Sequence, residues 1–176
     1  MPPPLSLILG GARSGKSEFA ENITLKSGLK PVYLATAAAG DSEMQARIKS
    51  HRERRGALWL TIEEEIDLAS ALKASARPER MVMVDCLTLW LSNLMMAGRQ
   101  ITAECDRLMD ILPGLRGPAL FVSSEVGLGI VPDNAAARAF RDYQGLLNQR
   151  LAQQADYVVL MSAGLPLTLK TGPDHA

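Results

Sequence analysis

The sequence has few of the features that would place a chain in a specialised class. Among its 176 residues, only Cys86 and Cys105 are cysteines, which is too few for a disulfide framework and gives no metal-ligand spacing. Lysine plus arginine and aspartate plus glutamate both number 19, so no bulk charge favours a nucleic-acid partner. No apolar window approaches the roughly 20 residues of a membrane-spanning helix, and the start lacks a basic leader. We therefore expect a cytoplasmic protein with reduced thiols and no membrane span.

What the sequence does contain is an alternation of apolar runs and helical patterns. Hydrophobic residues make up 47% of the chain, and no linker or repeat divides it, so we expect one domain over residues 1–176. Continuously apolar runs predict buried strands at 5–9, 32–36, 81–85, 119–123 and 157–161. Helical patterns lie at 16–27, 42–55, 64–76, 87–97, 101–112 and 134–154. This alternation predicts an α/β fold, with a mostly parallel sheet and helices on both faces.

The first strand runs directly into GGARSGKS, which matches the phosphate-binding pattern GxxxxGK[ST]. Glycines let backbone N–H groups turn towards phosphate oxygens, and the following helix adds its positive N-terminus. The Lys16 ammonium can reach the outer phosphates, and the Ser17 hydroxyl can bind Mg²⁺. The loop therefore predicts ATP or GTP with a bound Mg²⁺ as ligands. Its residues are Gly10, Gly11, Ala12, Arg13, Ser14, Gly15, Lys16 and Ser17.

Asp85 ends the apolar run MVMVD, where the fold would place a carboxylate that holds Mg²⁺. The alternative interpretation is that Asp85 caps the helix that follows. We favour the metal role, because Asp85 lies at the carboxyl end of a predicted strand. A regulatory GTPase is disfavoured, since the guanine-reading motif NKxD is absent from the sequence.

The segment RIKSHRERRG, residues 47–56, holds His51, one of two histidines in the chain. On a helix, Arg47, Arg54 and Arg55 flank His51, oppose its protonation and attract phosphate. A neutral imidazole in such a site can attack phosphorus as a nucleophile. The residues alone leave three interpretations open: a nucleophile, a general base, or a structural histidine on a solvated basic face.

Together, several blocks resemble the bifunctional adenosylcobinamide kinase/adenosylcobinamide-phosphate guanylyltransferase family of cobalamin biosynthesis. The blocks are GGARSGKSEFAE, VYLATA with DSEM, RIKSHRERRGALWLTIEE, VDCLTLWLSNL, SEVGLGIVPDNAAARAFRD and LNQRLAQQADYVVLM. The resemblance implies a P-loop-type fold, a homotrimer and two reactions. The first phosphorylates adenosylcobinamide with ATP or GTP, and the second transfers GMP from GTP to adenosylcobinamide phosphate.

The resemblance also implies roles for particular residues. His51 matches the position that carries GMP as a covalent guanylyl-histidine, and Lys16 assists as the phosphate loop lysine. Mg²⁺ would be held by Ser17 and Asp85. Besides the phosphate loop, the positions that match nucleotide contacts are Ala35, Thr36, Ala37, Arg52, Glu53, Arg54, Arg55, Glu63 and Asp85.

The block SSEVGLGIVPDN, residues 123–134, follows the fourth predicted strand. Its glycine-containing loop either forms a lid or wall over the corrinoid or nucleotide, or is a structural connection with tight turns. A helix is expected to start at Asp133 or Asn134, and Glu125 is the candidate functional residue within the block. The alternative to the bifunctional enzyme is a P-loop kinase of another small alcohol, or a nucleotide-binding protein without catalysis.

Overall fold

The computed structural model describes residues 3–37 and 56–172, which fold into one sheet flanked by helices. The strands are β1 (Leu5–Gly10), β2 (Lys30–Ala35), β3 (Leu60–Glu63), β4 (Arg80–Asp85), β5 (Ala119–Ser124), β6 (Tyr157–Ser162) and β7 (Leu165–Lys170). The helices are α1 (Lys16–Lys26), α2 (Leu68–Ser75), α3 (Leu87–Met96), α4 (Ile101–Ile111) and α5 (Ala135–Gln154), with short 3₁₀ turns at Gly56–Leu58 and Leu112–Gly114.

The seven strands are ordered β3-β2-β4-β5-β1-β6-β7. Six are parallel, and β7 returns antiparallel to β6 through a two-residue turn. Both turn residues, Ala163 and Gly164, have positive φ, as the tight turn of a β-hairpin requires. Because β5 separates β1 from β4, the carboxyl ends of these three strands lie side by side at one edge of the sheet.

The two faces of the sheet bury separate apolar clusters. On one face, Leu7, Val84 and Phe121 pack with residues of α2, α3, α4 and α5. On the other face, Ile8 and Met83 pack with residues of α1 and with Trp59. Alternate strand residues point to opposite faces, so a strand covered on both sides must be apolar throughout. The expected α/β fold with helices on both faces is confirmed.

All five predicted strands are present, but β3 and β7 were not predicted from the sequence. Both are edge strands, and β7 exposes all six residues, so neither has the continuously apolar pattern of a buried strand.

The helix expected over 64–76 begins only at Leu68, because Asp67 caps it by accepting from the Ser70 amide. The helix expected at 42–55 lies outside the described residues. Within the described part, no helix is long and apolar enough to cross a membrane.

Candidate active site

The phosphate loop connects β1 to α1, as its sequence predicts. Helix α1 begins at Lys16, directly after Gly15, whose φ of 92° lies in the left-handed region. This turn directs the N-terminal amides of α1 beyond the end of β1, where they and the helix dipole favour an anion. Lys16 lies at the mouth of the loop and its Nζ donates to the Gly11 carbonyl oxygen at 2.6 Å.

Gly10 is required by close packing beneath the loop. A Cβ atom at this position would lie 2.5 Å from the Ser14 hydroxyl oxygen and 2.6 Å from the Met161 carbonyl oxygen. The turn after strand β6 also contacts the loop, since the Gly164 amide donates to the Ser14 carbonyl at 3.1 Å. Gly11, by contrast, has open space around its missing Cβ. The loop is therefore packed closely against β6 at Gly10, whereas a side chain added at Gly11 would meet open space.

Asp85 lies at the end of β4 and accepts a hydrogen bond from the Tyr33 hydroxyl at 3.1 Å. Tyr33 belongs to the cluster on the α1 face and meets Trp59 edge-on, with ring centroids 6.2 Å apart. The N-cap position of α3 is Cys86, and no side chain caps that helix. The capping interpretation of Asp85 therefore finds no support, and its carboxylate is held on the same face as Ser17 of α1.

Thr36 ties the end of β2 to the start of α3. It is fully buried, its hydroxyl donates to the Cys86 carbonyl at 2.7 Å, and the same oxygen accepts from the Cys86 amide at 2.9 Å. The Asn93 side chain donates to the Thr36 carbonyl at 2.7 Å. Desolvation, together with the neighbouring Asp85 carboxylate, raises the pKa of the Cys86 thiol to about 11. Cys86 is therefore a protonated structural thiol at neutral pH.

The strand register places Glu63, Ala35 and Asp85 at one level across three neighbouring strands. Strands lie about 4.8 Å apart, and four such steps separate β3 from β1. Glu63 therefore lies roughly 19 Å across the sheet from Gly10. It cannot contact the same phosphate as Lys16, so the predicted nucleotide positions form an extended band along the edge. Ala37 follows β2, is the last residue described there, and is half-buried.

Glu125 follows β5 immediately and borders the phosphate loop. Its amide donates to the Gly10 carbonyl at 3.0 Å, and its Oε1 accepts from the Asn148 side-chain amide at 3.2 Å. Asn148 also donates to the Ser124 carbonyl and accepts from the Ser123 hydroxyl at 2.6 Å. The fully buried Gln144 donates to both the Ser123 hydroxyl and the Asn148 carbonyl oxygen. This buried polar cluster fixes α5 to the end of β5.

The segment after Glu125 runs over the surface as an irregular loop before α5. Leu128 and Ile130 are 86% and 98% exposed. The loop is tied to α5 at both ends, since Arg141 donates to the Gly127 carbonyl and Arg138 donates to the carbonyls of residues 132 and 133. Asn134 caps α5, which confirms the expected helix start. The choice between a lid and a structural connection stays a prediction.

Several predicted site residues lie outside the described part of the chain. They are His51, Arg52, Glu53, Arg54 and Arg55. Their roles therefore stay predictions that rest on the sequence and its resemblance.

The residues at the loop fit a nucleotide-bound Mg²⁺. Ser17 and Asp85 would offer oxygen ligands of the kind that this ion prefers, and Mg²⁺ usually keeps several waters and phosphate oxygens as its other ligands. Within residues 3–37 and 56–172, no group of three or more His, Cys, Asp or Glu could form an all-protein cage. The donor set thus suits an ion that arrives with the nucleotide.

Three polar residues of this edge were not predicted from the sequence: Tyr33, Asn93 and Asn148. Each lies within a predicted strand or helix, where the local pattern does not distinguish a site residue from its neighbours. A signal did exist for α5, where Gln144 and Asn148 fall four residues apart on the same face as buried leucines. Apart from Gln144, the hydrogen-bond partners of the three residues belong to other strands and loops, so neighbouring residues in the sequence do not reveal them.

The strand order, the parallel sheet and the phosphate loop define a P-loop nucleoside triphosphatase fold. A solved structure of the RadB recombinase shares this fold, with a TM-score of 0.53 and 17% identity, covering 90% of this chain and 74% of that one. The resemblance to RadB concerns the fold alone.

The sequence comparisons identify the family. Residues 6–169 match the model of the family described as cobinamide kinase / cobinamide phosphate guanyltransferase. The chain is 46% identical to the bifunctional adenosylcobalamin biosynthesis protein CobP of Pseudomonas aeruginosa, covering 95% of this chain and 98% of that protein. It is 36% identical to the CobU protein of Salmonella typhimurium, covering 93% and 98% respectively. The chain belongs to this family of kinases and nucleotidyltransferases, as its sequence predicted.

Proposed function

We propose that this protein phosphorylates adenosylcobinamide with ATP or GTP, and then transfers GMP from GTP to adenosylcobinamide phosphate. The products of the second reaction are adenosylcobinamide-GDP and pyrophosphate. The observation that carries the proposal is the family match over residues 6–169, which contains both the phosphate loop and the histidine segment. In the first reaction, the acceptor hydroxyl attacks the γ-phosphorus and the nucleoside diphosphate leaves.

In the second reaction, we propose His51 as the nucleophile. Its neutral imidazole would attack the α-phosphorus of GTP, and pyrophosphate would leave with the electron pair of the broken bond. Lys16 and the amides at the start of α1 would offset charge on the departing phosphates. Bound Mg²⁺, held by Ser17 and Asp85, would add Lewis-acid stabilisation of the same charge. A phosphate oxygen of the acceptor would then attack the phosphorus of the guanylyl-histidine, and the P–N bond would break with its electron pair returning to His51.

We propose that the remaining predicted residues contribute to one nucleotide site. The band from the phosphate loop through Ala35, Thr36 and Ala37 to Glu63 would accommodate the nucleotide, with Arg52 to Arg55 on its phosphates. We also propose that the protein works in the cytoplasm as a homotrimer, as the resemblance implies.

Labelling with α-³²P GTP tests the proposal. After denaturation, the wild-type protein should retain label through a bond that is acid-labile and alkali-stable, as expected for a phosphoramidate. His51→Ala should abolish retention, whereas His175→Ala, which changes the other histidine, should not. Wild-type protein that carries no label would contradict the guanylyl-histidine step.

A second assay distinguishes the bifunctional enzyme from the alternative, a kinase of another small alcohol. Phosphate transfer from γ-labelled ATP to adenosylcobinamide should occur in both the wild type and His51→Ala. A wild-type protein that transfers neither phosphate to adenosylcobinamide nor GMP, but phosphorylates a different alcohol, would favour this alternative.

A further inference from the structure

We propose that Glu125 accepts the proton of the acceptor hydroxyl in the kinase reaction, and that Asn148 is the positioning residue that aims its carboxylate. This inference rests on the proposed function. It concerns a division of labour between two reactions that use one phosphate loop: Glu125 serves phosphoryl transfer and is dispensable for guanylyl transfer.

The sheet order places Glu125 beside the phosphate loop. Strand β5 lies between β1, which leads into the phosphate loop, and β4, which ends at Asp85. Gly10 pairs with Ser124, and the Glu125 amide donates to the Gly10 carbonyl at 3.0 Å. The backbone of Glu125 is therefore fixed to the first glycine of the loop that would bind the phosphates.

The two carboxylates at this edge are held from opposite faces of the sheet. Asp85 is bonded to Tyr33, whose cluster contains residues of α1, the helix that also carries Ser17. Glu125 is bonded to Asn148 of α5, a helix on the opposite face. Asp85 and Ser17 thus share the side suited to the metal. Glu125 approaches from the other side, which suits contact with an acceptor.

The buried polar cluster of α5 gives Glu125 a fixed direction. Asn148 is 5% exposed and uses its amide to bond both the Ser124 carbonyl and the Glu125 Oε1. Its own carbonyl oxygen accepts from the Ser123 hydroxyl and from Gln144. An amide engaged on both sides cannot rotate without breaking these hydrogen bonds and leaving buried polar groups unpaired. The acceptor face of the site is therefore preorganised by α5.

The chemistry of the carboxylate agrees with a proton acceptor. Among the ion pairs of the described residues, none involves Glu125, and its bonding partner is a neutral amide. The bond from Asn148 engages one carboxylate oxygen, and an ionised carboxylate can accept at both. Protein kinases use a carboxylate in the same role, to accept the proton of the substrate hydroxyl.

The two reactions differ in whether a proton must be removed. In the kinase step, the acceptor oxygen forms a bond to the γ-phosphorus, its O–H proton passes to Glu125, and the bond to the nucleoside diphosphate breaks. Glu125 then returns the proton to water. In guanylyl transfer, a neutral imidazole attacks with a free lone pair, and the phosphate acceptor has a second pKa of about 6. At pH 8 neither nucleophile of the guanylyl reaction requires a base.

The test compares both reactions in Glu125→Gln, which keeps the size of the side chain and removes its basicity. The kcat of phosphate transfer from ATP to adenosylcobinamide should fall by roughly 100-fold to 10,000-fold, the usual contribution of a general base. Retention of α-³²P GMP on the protein should proceed within about threefold of the wild-type rate. Asp133→Asn, which removes a carboxylate from the same surface loop, should change neither rate by more than about threefold.

Asn148→Ala tests the positioning role against Gln144→Ala. Both variants remove an amide of the same buried cluster, but Asn148 is the one that contacts Glu125. Asn148→Ala should lower the ratio of kinase to guanylyl rates by roughly tenfold or more, and Gln144→Ala should keep that ratio. A purely structural role predicts the same ratio in both variants and would contradict the positioning role of Asn148. Because the ratio is measured on folded protein, a common loss of stability does not mimic the effect.

The wild-type protein tests the proposed function, and the Glu125→Gln variant tests the role of Glu125 separately. If the wild type shows neither reaction, the proposed function fails, and the role of Glu125, which rests on it, fails with it. If the wild type shows both, an undiminished kinase rate in Glu125→Gln overturns the inference. An equal fall in both reactions also overturns it, because that result would assign Glu125 to nucleotide or metal binding.

Discussion

The phosphate end of the site and its far end are built by different means. At the phosphate end, Gly10 and Gly15 shape backbone amides around the end of β1, and the ligand would be met mainly by main-chain groups and Lys16. At the far end, on β2 and β4, side chains such as Tyr33 and Thr36 make the bonds. Phosphate is common to all nucleotides, so a backbone cradle suffices for it. At the far end, side-chain hydrogen bonds are needed because they hold one particular carboxylate, that of Asp85, in position.

Among the substitutions that compare these two ends, the largest effect is expected at Lys16, the charged side chain of the phosphate end. Lys16→Ala should lower both kinase and guanylyl rates by roughly 100-fold to 1,000-fold, as expected for loss of one preorganised charge partner. Lys26→Ala, at the exposed end of the same helix, is the control and should keep both rates. A Lys16→Ala protein that loses one reaction alone would show that the reactions use separate phosphate sites.

Gly10→Ala should break the backbone cradle itself. The added Cβ would meet the Ser14 hydroxyl oxygen at 2.5 Å and the Met161 carbonyl at 2.6 Å, so the loop must shift. We expect a loss of stability of roughly 1–3 kcal/mol and at least a tenfold weaker binding of GTP. Gly11→Ala, with nothing within 4 Å of its Cβ, is the matched control. Urea unfolding and the GTP-induced rise in Tm measure the two effects, and equal behaviour of both variants would contradict the role of close packing.

Thr36→Val tests the anchoring of the far end. The substitution leaves the buried Cys86 amide without its hydroxyl acceptor, and such a group costs roughly 1–3 kcal/mol. Urea unfolding with an unchanged m value should report this loss. Thr61→Val, in the neighbouring edge strand β3, should change stability by less than about 0.5 kcal/mol. If Thr61→Val costs as much as Thr36→Val, the hydrogen bonds to Cys86 are not the source of the effect.

Tyr33→Phe should have a smaller effect on catalysis. It removes the hydroxyl that donates to Asp85 and keeps the ring against Trp59. We expect both rates to fall by about threefold to tenfold, the value of one hydrogen bond, with a higher Mg²⁺ concentration needed for half-maximal activity. An Mg²⁺ dependence identical to that of the wild type would separate Tyr33 from metal binding.

The effect that is smallest at neutral pH concerns the two cysteine thiols. Burial raises the pKa of Cys86 and of Cys105 from 9.0 to about 11. Between pH 9 and about pH 11, the thiols are deprotonated in the unfolded chain and protonated in the folded chain, so folding takes up protons. The stability that the protonated thiols supply is complete below pH 9 and is lost as pH rises through about 11. Urea unfolding from pH 8 to pH 11 should show this decline, and Cys86→Ala with Cys105→Ala should flatten it.

Local sequence patterns were sufficient for the elements and motifs whose signals are contiguous. The phosphate loop was read from eight consecutive residues, and the buried strands from unbroken apolar runs. The edge strands β3 and β7 were missed, because a strand that faces solvent carries no such run. Helix α2 was predicted to start four residues too early, since Glu64 accepts from the amides of Ile66 and Asp67 and holds the preceding turn outside the helix.

The sequence by itself determined the α/β class, the phosphate loop and the family, because these depend on residues that are adjacent in the chain. The tertiary structure alone decided that β5 lies between β1 and β4, that Asp85 and Glu125 are held from opposite faces, and that Asn148 reaches Glu125 from 23 residues away. Strand order and register arise from packing between distant segments. No local pattern encodes which polar residue of a helix will meet which strand end.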